Sequence, residues 1–102
     1  MTKNPQITAI VKEVLDLIKD ISPGKSVELR VPPYGAIQCV AGSNHRRGTP
    51  PNTVEMSGQT LIRLINEPSL WSNFCESGEV MASGAASDLS NIFIQAAVKY
   101  RA

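Results

Sequence analysis

The chain has 102 residues, of which 42% are apolar and 19% charged, and ten Lys and Arg nearly cancel nine Asp and Glu. This composition predicts one globular domain over residues 1–102 and excludes a disordered chain. The near-neutral charge argues against nucleic-acid binding, because phosphate neutralisation favours basic proteins. No apolar run approaches the roughly 20 residues that span a bilayer, so we expect no stable membrane insertion. The polar start of the chain and the presence of only two cysteines favour a cytoplasmic protein.

The first third of the chain predicts a helix followed by two strands. Asn4 is an N-cap residue before Pro5, and apolar residues at helical spacing follow until Pro23. Residues 27–31 alternate between apolar and charged types, which is typical of a half-buried strand. Residues 34–40 form a nearly continuous apolar run, which predicts an interior strand.

The middle of the chain predicts a short strand and two helices. Residues 53–56 alternate as a strand does, and Ser57 is placed to cap the helix that follows. Pro68 stops that helix, and Ser69 is placed to cap a second, shorter helix. Gly78 marks the end of the second helix.

The last quarter predicts a strand over residues 79–83 and a helix capped by Ser87, with Asp88 in its first turn. This helix is apolar on two sides, so its second side is expected to be buried or to meet a ligand or partner. The main stripe is Leu89, Ile92, Phe93, Ala96 and Tyr100, and the second strip is Ile94, Ala97 and Val98. The order of all the elements predicts an α+β fold, with helices packed on one face of a sheet.

The loop over residues 42–52 holds the most concentrated polar feature of the sequence. Arg46 and Arg47 are suited to hold a carboxylate or phosphate, with His45 as a pH-sensitive donor. The simpler interpretation is a solvated loop whose charges keep it soluble. Sequence alone leaves both interpretations open.

The sequence offers little equipment for catalysis or metal binding. One histidine and two separated cysteines fall short of a zinc ligand set. Cys39 lies in an apolar strand and Cys75 lies near the end of a short helix, where neither thiol is activated. His45 is the only acid–base candidate at neutral pH. We therefore expect no enzymatic activity, no metal and no cofactor.

The apolar residues of the helices have two interpretations. They form an ordinary packed core, or they line a tunnel between helices and sheet, and periodicity does not distinguish these cases. The residues available to line such a tunnel are Leu61, Ile65, Leu70, Trp71, Phe74, Ile92, Phe93 and Ile94.

From residue 53 onward the sequence resembles the sterol carrier protein type 2 superfamily. The resemblance rests on the strand 53–57, the paired aliphatic helix 61–65, the aromatic helix that ends at Gly78, and the strand 79–84 before Leu89. Residues 27–34 and 47–52, each with a proline pair, more narrowly resemble a bacterial sterol-carrier orthologue family. Together these stretches cover about three-quarters of the chain.

The resemblance implies a four- to five-stranded, mostly antiparallel sheet and a hydrophobic cavity between sheet and helices. It also implies non-covalent binding of a small apolar or amphipathic ligand, with His45, Arg46 or Arg47 near a mouth for a polar headgroup. The lining predicted for this cavity is Leu61, Ile65, Trp71, Phe74, Leu89, Ile92 and Phe93. The alternative is an accessory module that docks on an enzyme or forms a homodimer. In that case the strip Ile94, Ala97 and Val98 is the interface, and it is expected to be exposed.

Overall fold

The structure is a computed structural model that describes residues 3–42 and 51–102. Helices and a single sheet form an α+β fold, which confirms the predicted fold class. A short 3-10 turn, Pro68–Leu70, connects the second and third helices. In chain order the elements are α1 (Pro5–Ile21), β1 (Val27–Val31), β2 (Gly35–Cys39), β3 (Asn52–Met56), α2 (Gly58–Asn66), α3 (Trp71–Ser77), β4 (Val80–Ser83) and α4 (Ser90–Arg101).

The sheet has the strand order β2-β1-β3-β4. β1 pairs antiparallel with β2 and parallel with β3, and β3 pairs antiparallel with β4. Alternate residues of β1 and β3 are buried, so one face of the sheet is covered by the helices and the other is open to solvent. The four described strands agree with the predicted sheet.

The strand over residues 35–39 corrects one prediction. The run at residues 34–40 predicts an interior strand, but β2 lies at the edge of the described sheet, and only Cys39 is fully buried in it. Gly35 and Ala36 are small rather than strongly apolar, so an unbroken run of such residues does not require cover on both faces.

Two of the four predicted caps are confirmed. The Asn4 Oδ1 atom accepts hydrogen bonds from the N–H groups of Gln6 and Ile7, at 2.9 and 3.3 Å. The Ser57 Oγ atom accepts one from the Thr60 N–H at 3.1 Å. Both caps satisfy N–H groups that the first helical turn leaves unpaired.

The predictions for Ser69 and Ser87 are wrong. Ser69 lies inside the 3-10 turn, because Pro68 begins that turn with a φ angle already suited to it. The Ser87 Oγ atom donates to the Gly84 carbonyl at 2.7 Å and closes a turn instead. The helix begins three residues later, where the Asp88 Oδ1 atom accepts from the Ser90 N–H at 2.9 Å.

The core lies between the inner sheet face and the helices, and α1, α2 and α4 pack against one another. Side chains with essentially no exposure come from every layer and include Val14, Ile18, Leu29, Val54, Leu64 and Phe93.

In the described part of the chain, no helix combines the length and apolarity needed to cross a membrane.

Candidate functional site

The seven residues predicted to line the cavity all belong to, or pack against, this one core cluster. Ile94, a further candidate from helical spacing, is wrong as a lining residue, because it is 50% exposed on the outer side of α4. Leu61, Ile65, Leu89 and Phe93 have 0% exposure, whereas Ile92 is half-buried at the margin. Trp71 and Phe74, from α3, are 7% and 4% exposed. α2, α3 and α4 therefore bring the seven residues of the prediction into one apolar region beneath the helices.

Three aromatic side chains gather beneath α3. The rings of Trp71 and Phe93 lie 5.8 Å apart between centroids and are tilted by 33°, within the range of favourable aromatic pairs. Phe74 follows Trp71 by three residues, so both side chains point from one face of the short helix. The Arg63 guanidinium lies 4.9 Å from the centre of the Phe74 ring, a cation–π contact that joins α2 to α3.

The deepest of these side chains are closed to solvent. A residue with 0% exposure touches no void that can hold a water-sized sphere, so Leu61, Ile65 and Phe93 line no open space in this structure. Close packing of this kind is usual for protein interiors. A ligand can reach these residues only if side chains or a helix move.

The predicted headgroup residues His45, Arg46 and Arg47 lie outside the described residues, and their role stays a prediction. The position that follows their loop is described. Asn52 is 6% exposed; its Nδ2 group donates to the Ser26 carbonyl at 3.0 Å, and its Oδ1 atom accepts from the Ala86 N–H at 2.9 Å.

Asn52 therefore joins the start of β3 to the residue before β1 and to the turn that leads into α4. Sequence reasoning missed this role. The available signal was a polar residue at an inward position of a strand, which requires a hydrogen-bond partner when buried. Its hydrogen bond to the Ala86 N–H holds the start of β3 against the turn that precedes Leu89 in the sequence.

Neither thiol is activated. Burial raises the pKa of Cys39 to about 11. The pKa of Cys75 is raised by burial first and by the Asp88 carboxylate second. Both thiols are protonated at neutral pH, and the thiolate is the nucleophilic form. Across residues 3–42 and 51–102, no three His, Cys, Asp or Glu residues come together as a metal site.

Comparison with known sequences places these residues in a family. A family model described as bacterial SCP ortholog matches residues 3–94. The chain belongs to the bacterial SCP ortholog family. This confirms the resemblance stated from the two proline pairs and the helix motifs. Among curated proteins, none matches the sequence.

Comparison with solved structures supports the α+β fold of this chain. A protein described as UbiJ-SCP2, a ubiquinone synthesis protein, is similar with a TM-score of 0.56. The alignment covers 100% of this chain and 98% of that one, at 18% sequence identity. At 18% identity the similarity establishes a shared fold and does not establish shared ligands or partners.

The second apolar strip of this chain is only partly exposed, which corrects the interface prediction. Ile94 and Val98 are 50% and 65% exposed, but Ala97 is 2% exposed and belongs to the core. The three residues are close in sequence, yet Ala97 faces the buried side of α4. A charged substitution at Ala97 would therefore disturb the fold rather than test an interface.

The outer face of the sheet carries an open depression of about 570 Å³. Its charged residues include an ion pair, in which the Arg30 Nε atom lies 3.0 Å from the Glu28 Oε2 atom. None of the predicted apolar lining residues contributes to it. The depression is lined by Glu28, Arg30, Pro32, Pro33, Gly35, Ala36 and Glu55.

Proposed function

We propose that this protein binds an apolar, lipid-like ligand between the helices and the sheet and does not transform it chemically. The observation that carries the proposal is the aromatic group Trp71, Phe74 and Phe93 beneath a short helix at the margin of the core. Apolar and aromatic side chains dominate the walls of small-molecule sites.

Access to this region requires movement of α3, which is seven residues long and has no side-chain cap at its start. It packs on β4 and on the preceding 3-10 turn, with Arg63 over Phe74 as a further anchor. Half-buried Leu70, the residue before α3, packs against the core, as does half-buried Ile92 of α4. Displacement of α3 opens a path from the surface to Phe93 without breaking the sheet.

Two comparisons support a ligand of this class. The family is described by its relation to a carrier protein, and the structural neighbour is described as a ubiquinone synthesis protein. Ubiquinone is itself an apolar, lipid-like molecule. The protonated state of both thiols supports the absence of covalent chemistry.

Trp71 is the only tryptophan of the chain, so its fluorescence reports on this region alone. Titration with a fatty acid brominated at mid-chain is expected to quench Trp71 saturably, because bromine quenches only at short range. The unbrominated fatty acid is expected to compete without quenching. Phe93→Leu is expected to weaken quenching several-fold, because it replaces one of the three aromatic side chains of the proposed site. Met81→Leu, on the outer sheet face, is the matched control and is expected to bind as the wild type does.

Native mass spectrometry of the purified protein, followed by lipid extraction, separates this function from its alternative. A stoichiometric co-purifying lipid supports the proposal. A ligand-free homodimer or a complex with an enzyme, together with no saturable quenching of Trp71, would contradict it and favour the accessory module.

A further inference from the structure

Two large apolar side chains of α4 are exposed side by side. Ile94 and Val98 lie four positions apart in the sequence, so they are neighbours on the helix surface. Single exposed aliphatic residues are common on soluble proteins. A continuous pair on one helix instead forms a small apolar stripe, here called the α4 stripe. Met81, the other large hydrophobic residue with a mostly exposed side chain among those described, lies on the outer sheet face.

The charged side chains of α4 itself have one sign. Arg101 follows Val98 by three residues, and Lys99 is exposed beside it. The Arg101 Nη2 group donates to the Asn66 carbonyl at 3.0 Å, which holds the guanidinium beside the end of α2. The sequence of α4 contains no acidic residue. Asp88 precedes the helix at its other end, and Glu67 follows Asn66.

The size and charge of the α4 stripe indicate whether a protein partner or a membrane surface covers it. A standard protein interface buries about 800 Å² on each partner, far more than two aliphatic side chains provide. A helix surface with a few apolar residues flanked by cations is instead suited to lie in the interfacial region of an anionic membrane. Each lysine or arginine near such a surface adds a favourable electrostatic contribution.

We propose that α4 docks this protein reversibly on anionic phospholipid membranes. Ile94 and Val98 enter the interface, and Lys99 and Arg101 contact the headgroup phosphates. The docking is inferred from the surface alone. Only the purpose of the docking, transfer of a ligand between the membrane and the core, depends on the proposed function. The buried side of the same helix carries Phe93 into that core.

Co-sedimentation with vesicles tests the docking. The full chain is expected to bind vesicles of phosphatidylcholine with phosphatidylglycerol, to bind weakly to phosphatidylcholine alone, and to be released by salt. The double variant Ile94→Ser and Val98→Ser is expected to lose affinity on the order of tenfold. Lys99→Gln is expected to lose about fivefold.

Matched controls exist elsewhere in the chain. Met81→Ser removes a comparably exposed apolar side chain from the sheet, and Lys12→Gln removes the same charge from α1. Both are expected to bind anionic vesicles as the wild type does. Equal binding to both vesicle types, or an equal loss in Met81→Ser, would overturn the proposal. So would a homodimer that the double serine variant converts to a monomer, since a second copy would then cover the α4 stripe.

The Trp71 titration keeps the two proposals separate. Loss of vesicle binding in the double serine variant, with quenching by the free brominated fatty acid unchanged, supports docking through the α4 stripe. Vesicle binding without any quenching of Trp71 would leave the docking in place and contradict the ligand site.

Discussion

Helices α1 and α4 pack against each other, yet their outer surfaces differ. The outer side of α1 carries charged residues, including the ion pair between Lys12 and Asp16 at 3.1 Å. The outer side of α4 carries Ile94 and Val98. The structure of α1 is explained by folding alone, because its apolar stripe is buried and its polar side is solvated. α4 has more apolar surface than folding requires, which is why the docking proposal concerns α4.

The two helices also begin differently. α1 has a complete N-cap, in which Asn4 accepts two hydrogen bonds from the first turn. α4 begins after the buried residue Leu89, and Asp88 accepts from a single backbone N–H group of the first turn, that of Ser90. The start of α1 is thus fixed by local chemistry, whereas the start of α4 also depends on the placement of Leu89 in the core.

The largest expected effect concerns Ala97, which is 2% exposed on α4. Ala97→Asp is expected to reduce the free energy of unfolding by several kcal/mol, enough to unfold much of a marginally stable domain, because a buried carboxylate is left unpaired. Ala9→Asp, on the exposed side of α1, is expected to change stability by less than about 0.5 kcal/mol. Urea unfolding followed by circular dichroism measures both. Similar losses of unfolding free energy in the two variants would contradict the assignment of Ala97 to a buried side and Ala9 to an exposed side.

The next effect compares one residue type on the two helices. Ile18 of α1 has 0% exposure and Ile94 of α4 has 50%. Ile18→Ala is expected to cost about 2 to 5 kcal/mol, because it removes buried methyl groups and leaves a cavity. Ile94→Ala is expected to cost less than about 1 kcal/mol, since alanine favours the helix and little buried area is lost. Unfolding midpoints in urea test this order, and a larger loss for Ile94→Ala would show that the α4 stripe serves the fold.

A smaller effect concerns the two helix starts. Asn4→Ala is expected to cost about 1 kcal/mol, because two N–H groups of α1 lose their acceptor. Asp88→Ala is expected to cost less, since a single N–H group of α4 depends on it. Asn4→Asp, which keeps an acceptor in place, is the control for Asn4→Ala and is expected to retain the stability of the wild type. Equal losses of stability in Asn4→Ala and Asp88→Ala would contradict the stronger N-cap of α1.

The smallest effect is the pH dependence of the α4 start. Hydrogen bonds from Ser90 lower the pKa of Asp88 below its ordinary value. A carboxyl whose pKa is lower in the folded state stabilises the protein above its unfolded pKa, and this stabilisation is lost as the pH falls through the folded pKa. The stability difference between the wild type and Asp88→Asn is therefore expected to shrink below about pH 4. A difference that stays constant between pH 7 and pH 3 would contradict this role of the Asp88 charge.

The seven apolar residues proposed to line the ligand region were found from helical spacing and from the family resemblance together. The structure gathers all seven, but it packs the deepest of them without open space. Spacing identifies which side chains share a helix face, and it carries no information on the volume left between two facing layers. The buried role of Asn52 was missed for a related reason, because its partners Ser26 and Ala86 are 26 and 34 residues away.

The sequence by itself determined the elements whose signals are local. The start of α1 at Asn4, the start of α2 at Ser57 and the alternation of residues 27–31 each follow from neighbouring residues and their hydrogen-bonding chemistry. Tertiary structure alone decided that β2 lies at the edge of the described sheet, and that Ala97 is buried while Val98 is exposed. The physical reason is that burial depends on which distant elements cover a face, and those contacts are set by the packing of the whole chain rather than by local periodicity.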